Sequence, residues 1–160
     1  MERSADGKHR TVVRRRMPAP REIVYEAWID PDGIREWMCP GDVVSAEAVL
    51  DVRVGGSLRI IMHAEDRVHE HIGTYQIVDP PAKLAFTWSG LENREEITLV
   101  TVEFVAHGDE SELVITHERF SKADVAQRYE MGWGTIANKF AAYLASKRIA
   151  QPARRAAGRN

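Results

Sequence analysis

The pattern of apolar and polar positions changes twice along the chain. One short strand pattern and two stretches of helical spacing come first, alternation of period two fills the middle, and a long helical pattern follows. The order β-α-α-β-β-β-β-β-β-α predicts an α+β fold in which helices cover one face of an antiparallel sheet. We expect about seven strands, at residues 11–17, 43–52, 58–64, 68–78, 83–88, 97–106 and 112–120.

Three helices are expected from their start signals and apolar spacing. Pro20 suits the first turn of a helix, and Asp30 followed by Pro31 is typical of a capped helix start. Ser121 is the expected N-cap of the last helix. These signals place helices at residues 19–29, at 31–38 and from 121 onward. The apolar face of the last helix must lie on the sheet, and it consists of Val125, Tyr129, Trp133, Ile136, Phe140 and Leu144.

Hairpin register indicates which strand residues point inward, because antiparallel partners share a face. A two-residue turn at residues 108–109 places Val100 opposite His117. A four-residue turn between the third and fourth expected strands places Met62 opposite His71. The inner face defined in this way mixes bulky apolar and polar ring side chains: Ile60, Met62, His69, His71, Tyr75, Phe86, Trp88, Val100, His117 and Phe120.

Polar rings on an inner face favour a cavity. An imidazole or phenol that is buried without a partner costs about 1–3 kcal/mol, so water or a ligand usually reaches it. An apolar lining with a few polar groups is typical of a small-molecule pocket. The alternative, in which each polar tip bonds a neighbour in a closed core, stays open. The expected contacts of a hydrophobic or aromatic ligand are Met62, His71, Tyr75, Phe86, Trp88, Val100, His117, Phe120, Met131 and Trp133.

Two glycines interrupt the last helix, where each costs about 1 kcal/mol relative to alanine. Gly132 and Gly134 either let the helix approach the sheet or leave room above the cavity. The sequence does not decide between these two interpretations.

Length and charge restrict the partners. The chain has 160 residues, 22 Lys plus Arg and 24 Asp plus Glu, which gives a net charge of -2 and does not favour nucleic acid. No apolar run reaches the roughly 20 residues of a membrane span, so we expect no membrane partner. One cysteine, Cys39, excludes an internal disulfide and fits the cytoplasm. We expect one domain at residues 9–147 between a flexible N-terminus, 1–8, and a flexible basic tail, 148–160.

Catalytic and metal-binding motifs find little support. His63, His69 and His71 invite a metal interpretation, but zinc needs three or four ligands and no inward carboxylate or thiol is evident. No nucleophile elbow, P-loop or dinucleotide-binding motif occurs. We expect no metal and no cofactor. Acid–base catalysis by His71, Tyr75 or His117 stays open, so the sequence does not decide whether the protein is an enzyme.

Several fragments within residues 9–145 together resemble one family. They are Arg53-x-Gly-Gly-Ser-Leu, Gly73-Thr-Tyr-Gln-Ile-Val-Asp-Pro-Pro-Ala-Lys-Leu-Ala-Phe-Thr-Trp88, Val100-Thr-Val-Glu-Phe104, Thr116-His-Glu-Arg-Phe120 and Gly132-Trp133. In order and spacing they are similar to bacterial START-like proteins, and more narrowly to those related to the C-terminal domain of the activator of heat-shock-chaperone ATPase.

The resemblance implies a helix-grip fold. In that fold a curved antiparallel sheet wraps a long C-terminal helix, two short helices follow the first strand, and a cavity usually serves for hydrophobic ligands. The family shares no catalytic motif. Besides a ligand-binding protein, the resemblance leaves open a co-chaperone-like interaction module of the stress response and a small-molecule enzyme of cyclase or hydrolase type. A homodimer formed through apolar residues such as Ile61 or Leu91 also stays open.

Overall fold

The structure, a computed structural model, describes residues 2–3, 8–90 and 93–150. Its strands are β1 (Glu2–Arg3), β2 (His9–Met17), β3 (Ser45–Leu50), β4 (Ser57–His63), β5 (Val68–Asp79), β6 (Lys83–Gly90), β7 (Asn93–His107) and β8 (Glu110–Phe120). Its helices are α1 (Arg21–Trp28), α2 (Pro31–Trp37) and α3 (Ala123–Ala150). All the strands belong to one antiparallel sheet with the order β1-β2-β8-β7-β6-β5-β4-β3.

The predicted fold class is confirmed: seven long strands form the curved sheet, two short helices follow β2, and one long helix follows β8. The two-residue β1, which the sequence did not predict, pairs with the start of β2. Strands β6 and β7 also extend further than expected, since Gly90 still pairs with Asn93. Of the terminal segments expected to be flexible, residues 1, 4–7 and 151–160 lie outside the described residues.

Two helix starts show how local signals succeed and fail. The Asp30 carboxylate accepts a hydrogen bond from the backbone N–H of Asp32 at 3.1 Å, which confirms the predicted cap of α2. The predicted cap of α3 is wrong, because that helix begins at Ala123. Both the hydroxyl and the backbone N–H of Ser121 instead donate to the Glu96 carboxylate, each at 3.0 Å.

The hairpin registers explain which side chains face α3. The β7–β8 register is confirmed, with Val100 opposite His117. The β4–β5 register is wrong by two residues, since Met62 lies opposite His69 instead of His71. The turn has two residues, 65–66, instead of the expected four, since the N–H of Ala64 donates to the carbonyl of Arg67. A shift of two residues keeps every side chain on its predicted face.

Helix α3 lies closer to one half of the sheet than to the other. It packs closely against β2, β8 and α2, and less closely against β4, β5 and β6. On the close side an aromatic core fills the interior, with ring centroids 4.4 to 6.4 Å apart. On the other side the sheet curves, with a register irregularity in β5 between Tyr75 and Ile77. The rings of the aromatic core belong to Trp28, Trp37, Phe104, Trp133 and Phe140.

No helix among the described residues combines the length and the apolar character needed to cross a membrane.

Candidate functional site

A cleft opens where α3 stands away from β4, β5 and β6. Its larger part, the large lobe, has a volume of about 700 Å³, within the range of roughly 300–1,000 Å³ that is usual for small-molecule sites. Most of its walls are apolar. The apolar lining residues are Pro40, Val43, Met62, Trp88, Val125, Met131, Trp133 and Ile136, and the polar ones are Asp42, Arg67, His69, His71, Arg128, Tyr129 and Thr135.

A second part, the small lobe, has a volume of about 200 Å³ and lies toward the start of α3. The two lobes share His69, His71, Trp88, Val125 and Tyr129, so they form one continuous cleft. The small lobe is more polar than the large one. Its remaining lining residues are Glu70, Ser89, Gly90, Glu96, Thr98 and Phe120.

His71 lies where the two lobes meet. Its ring stacks on the Trp88 indole, with centroids 4.6 Å apart and an interplanar angle of 18°. Burial, aided by the nearby His69, lowers the pKa of His71 to about 4, so the imidazole is neutral at pH 7. Its Nδ1 atom is buried and has no hydrogen-bond partner, and the ring lines both lobes. The ring therefore lies beside the open space of the cleft with a nitrogen that no protein group engages.

His117 points to the same side of the sheet but lies behind the cleft wall. Its Nδ1 accepts a hydrogen bond from the Trp133 indole N–H at 2.9 Å. Its Nε2–H therefore donates to the Thr98 hydroxyl at 2.7 Å, and that hydroxyl donates to the carbonyl of Trp88 at 2.7 Å. Burial lowers the pKa of His117 well below its usual value. Both ring nitrogens are thus engaged within the protein.

Tyr129 of α3 separates His117 from the cleft. Its ring centroid lies 4.7 Å from that of His117 and 5.2 Å from that of Phe120. Burial raises the pKa of Tyr129, although the Trp88 indole and the Arg128 charge oppose the rise. The phenol is therefore neutral and lines both lobes.

A polar cluster holds one lip of the cleft. Arg67, at the tip of the β4–β5 hairpin, donates two hydrogen bonds to the Asp42 carboxylate, at 2.8 and 2.9 Å. The same guanidinium donates to Asp66 at 3.1 Å and to Nε2 of His69 at 3.0 Å. These bonds tie the hairpin tip to the loop that follows α2.

The structure divides the ten predicted contact residues. Six line the cleft: Met62, Met131 and Trp133 in the large lobe, Phe120 in the small lobe, and His71 and Trp88 in both. The other four are buried and line neither lobe: Tyr75, Phe86, Val100 and His117. Tyr75 packs edge-on against Phe86, and its pKa is raised by burial. A ligand contact by any of the ten stays a prediction.

Some residues that line the cleft were not predicted from the sequence as ligand contacts. Tyr129 and Val125 belong to the predicted apolar face of the last helix, so helical spacing was a usable signal for them. Arg67 and Asp42 had none, because 25 positions separate them. Gly132 lines the large lobe, and a Cβ atom placed there would touch only Pro40, at 3.5 Å. This position therefore has space above it.

Two further points from the sequence concern a metal site and a dimer surface. No group of three or more His, Cys, Asp or Glu side chains within residues 2–3, 8–90 and 93–150 could hold a metal ion. Ile61 lies half-buried on the outer face of β4, between Glu47 and Glu70, whereas Leu91 lies outside the described residues.

Known structures share this architecture. A protein from Chromobacterium violaceum superposes with a TM-score of 0.76 at 23% identity, covering 84% of this chain and 96% of its own. One from Rhodobacter sphaeroides has a TM-score of 0.76 at 20% identity, over 86% and 93% of the two chains. One from Rhizobium leguminosarum has a TM-score of 0.69 at 26% identity, over 86% and 95%. The shared fold is the START-like fold.

No protein of curated function shows significant similarity to the sequence. Residues 18–145 match the family described as activator of Hsp90 ATPase homolog 1-like protein. The matched segment includes both short helices, β3 to β8 and most of α3. The chain therefore belongs to the activator of Hsp90 ATPase homolog 1-like family.

Proposed function

We propose that the protein binds a small hydrophobic or aromatic ligand in the cleft between the sheet and α3. The observation that supports this most directly is the large lobe, about 700 Å³ of space with mostly apolar walls. Apolar surface that a ligand buries there contributes roughly 25 cal/mol per Å² before the costs of binding. The neutral ring of His71, which lines both lobes and stacks on Trp88, would fix the orientation of a ligand oxygen.

The environment of His71 favours binding over acid–base catalysis. A general acid or base works best when its pKa lies near the working pH. Burial holds the pKa of His71 at about 4, so at neutral pH the ring is not available as an imidazolium acid and is only a weak general base. Action as an enzyme and action as a co-chaperone-like interaction module remain predictions from the sequence.

A neutral fluorescent probe tests the proposal. N-phenyl-1-naphthylamine has two linked aromatic units and no charge, and its fluorescence rises in apolar surroundings. We expect the folded full-length protein to bind it with a Kd on the order of 10 μM. A Gly132→Leu variant should lose this binding, because the new side chain extends from the cleft wall where a Cβ atom meets only Pro40.

Gly134→Leu is the matched control. Gly134 lies two residues further along α3 and does not line the cleft; a Cβ atom there meets only the Arg15 guanidinium, at 3.7 Å. This variant should bind the probe like the wild type, and circular dichroism should show both variants folded. A wild-type protein that is folded and gives no saturable fluorescence increase would refute the proposal.

A further inference from the structure

Along α3, the lining of the large lobe has a charged side chain at one end only. Its α3 lining runs from Val125 to Ile136, twelve residues whose ends lie about 16 Å apart at a rise of 1.5 Å per residue. Arg128 lies in the first turn of this segment. Trp133 and Ile136 lie in its last turns, together with the polar but uncharged Thr135. A ligand that fills the lobe therefore meets a guanidinium at one end and apolar surface at the other.

Arg128 differs from the other arginine of the large lobe in its partners. Arg67 has its charge compensated by two bonds to Asp42 and one to Asp66. Arg128 forms no hydrogen bond or ion pair with any residue that the structure describes, although its charge lowers the pKa of the adjacent Tyr129. The lining of the large lobe thus keeps one uncompensated positive charge.

The large lobe has one acidic side chain, Asp42, which is bonded to Arg67, and the other acidic side chains of the cleft lie in the small lobe with partners of their own. Glu70 pairs with Arg59 on the outer face of the sheet. Glu96 accepts hydrogen bonds from the backbone and hydroxyl of Ser121. Neither carboxylate lines the large lobe. An anionic ligand group is therefore favoured at Arg128 and disfavoured in the small lobe.

We propose that the ligand is an amphiphilic organic acid whose carboxylate pairs with Arg128 while its apolar body extends toward Trp133 and Ile136. This inference rests on the proposed function, since it assigns the ligand class of the same cleft. A guanidinium suits a carboxylate because its parallel N–H groups form two hydrogen bonds with the two oxygens. Arg128 is exposed, so a ligand carboxylate can reach its guanidinium.

The test is a competition between two ligands that share one ring system. We expect 1-naphthoate and 1-naphthylmethanol, which differ in the carboxylate, each to displace N-phenyl-1-naphthylamine from the full-length protein at pH 7.5. In Arg128→Gln we expect the inhibition constant of naphthoate to rise about 3- to 10-fold, while that of naphthylmethanol stays within about 2-fold. Raising the salt to 0.5 M should weaken naphthoate alone, because salt screens an exposed ion pair.

Two further variants separate charge from geometry and from general effects. Arg128→Lys keeps the positive charge but loses the parallel N–H groups of the guanidinium. The inhibition constant of naphthoate should therefore rise less than it does in Arg128→Gln. Arg14→Gln removes an exposed arginine of β2 outside the cleft and should change neither competitor. If Arg128→Gln weakens both competitors equally or neither, the acid assignment is overturned while the proposed function stands. If the wild type does not bind the probe at all, the proposed function itself fails.

Discussion

The space beneath α3 has a closed region around His117 and an open region around His71. Both histidines point to the same side of the sheet, and burial lowers the pKa of both. In the closed region each ring nitrogen has a partner, and a chain of three hydrogen bonds connects α3 to β8, β7 and β6. In the open region one nitrogen is buried without a partner and the ring faces the cleft. A buried histidine alone therefore does not mark a site; the unengaged ring beside open space does.

The largest expected effect is a difference between the free energies of unfolding of His117→Leu and His71→Leu. His117→Leu has a similar volume but leaves the Trp133 indole N–H buried without an acceptor, which costs about 2–4 kcal/mol of the free energy of unfolding. His71→Leu replaces a ring with an unpaired buried nitrogen, so the free energy should change by less than about 1 kcal/mol. Urea unfolding at pH 7.5 measures both.

A second variant assigns the loss at His117 to the hydrogen-bond chain. In Trp133→Phe no indole N–H needs an acceptor, so adding His117→Leu to that background should cost clearly less than it does in the wild type. Equal costs in both backgrounds would contradict the role of the chain.

The pH dependence of stability gives the next largest effect. Between pH 6.5 and 4 the unfolded chain binds a proton at His71 and the native protein does not, so lowering the pH in this window lowers the free energy of unfolding. With a pKa of about 4 in the native state, the loss at pH 5 is about 2 kcal/mol for this residue. His71→Leu should therefore lose about 2 kcal/mol less than the wild type between pH 7.5 and 5 in urea unfolding.

The comparison needs only the wild type and His71→Leu, unfolded in urea under identical conditions at pH 7.5 and pH 5. A His71→Leu protein whose stability falls as steeply as that of the wild type would show that His71 is protonated in the native state.

The fold was predictable because it depends on local signals that recur. Alternation of period two marks a strand and also fixes which side chains face inward, so Val100 and His117 were placed correctly even before any contact was known. Turn length is a weaker signal. The polar stretch after His63 allows several turns of equal composition, which explains the register error of two residues in β4 and β5.

The site was predictable only in part, because a cleft depends on the distance between α3 and each strand. Inward orientation is shared by Tyr75 and His71, yet Tyr75 is packed in the core and His71 borders open space. Periodicity contains no information on that difference. The bond between Arg67 and Asp42 likewise joins loops from separate parts of the chain, and no local pattern indicates it.

Gly132 lies on the cleft wall and Gly134 lies on the β2 side of α3. Alanine substitutions at these two positions therefore compare the packing on the two sides of the helix. Each Cβ atom would meet only one side-chain atom at ordinary contact distance, Pro40 for Gly132 and Arg15 for Gly134. Gly132→Ala and Gly134→Ala should therefore each raise the free energy of unfolding by up to about 1 kcal/mol, since alanine favours the helix. Thermal unfolding of the two variants measures this. A loss of stability at Gly132 would mean that the lip is tighter than the described contacts indicate.

The smallest expected effect concerns Met131, a residue that is 72% exposed and lines the large lobe. Met131→Gln should change the free energy of unfolding by less than about 0.5 kcal/mol, because little of the residue is buried. A bound ligand would cover part of this thioether, so the Kd for N-phenyl-1-naphthylamine should rise about 2- to 3-fold. Ile23→Gln, at an exposed apolar position of α1 outside the cleft, should leave that Kd unchanged. Equal probe affinities of Met131→Gln and the wild type would place the ligand deeper, between His71 and Trp133, without contact to the lip.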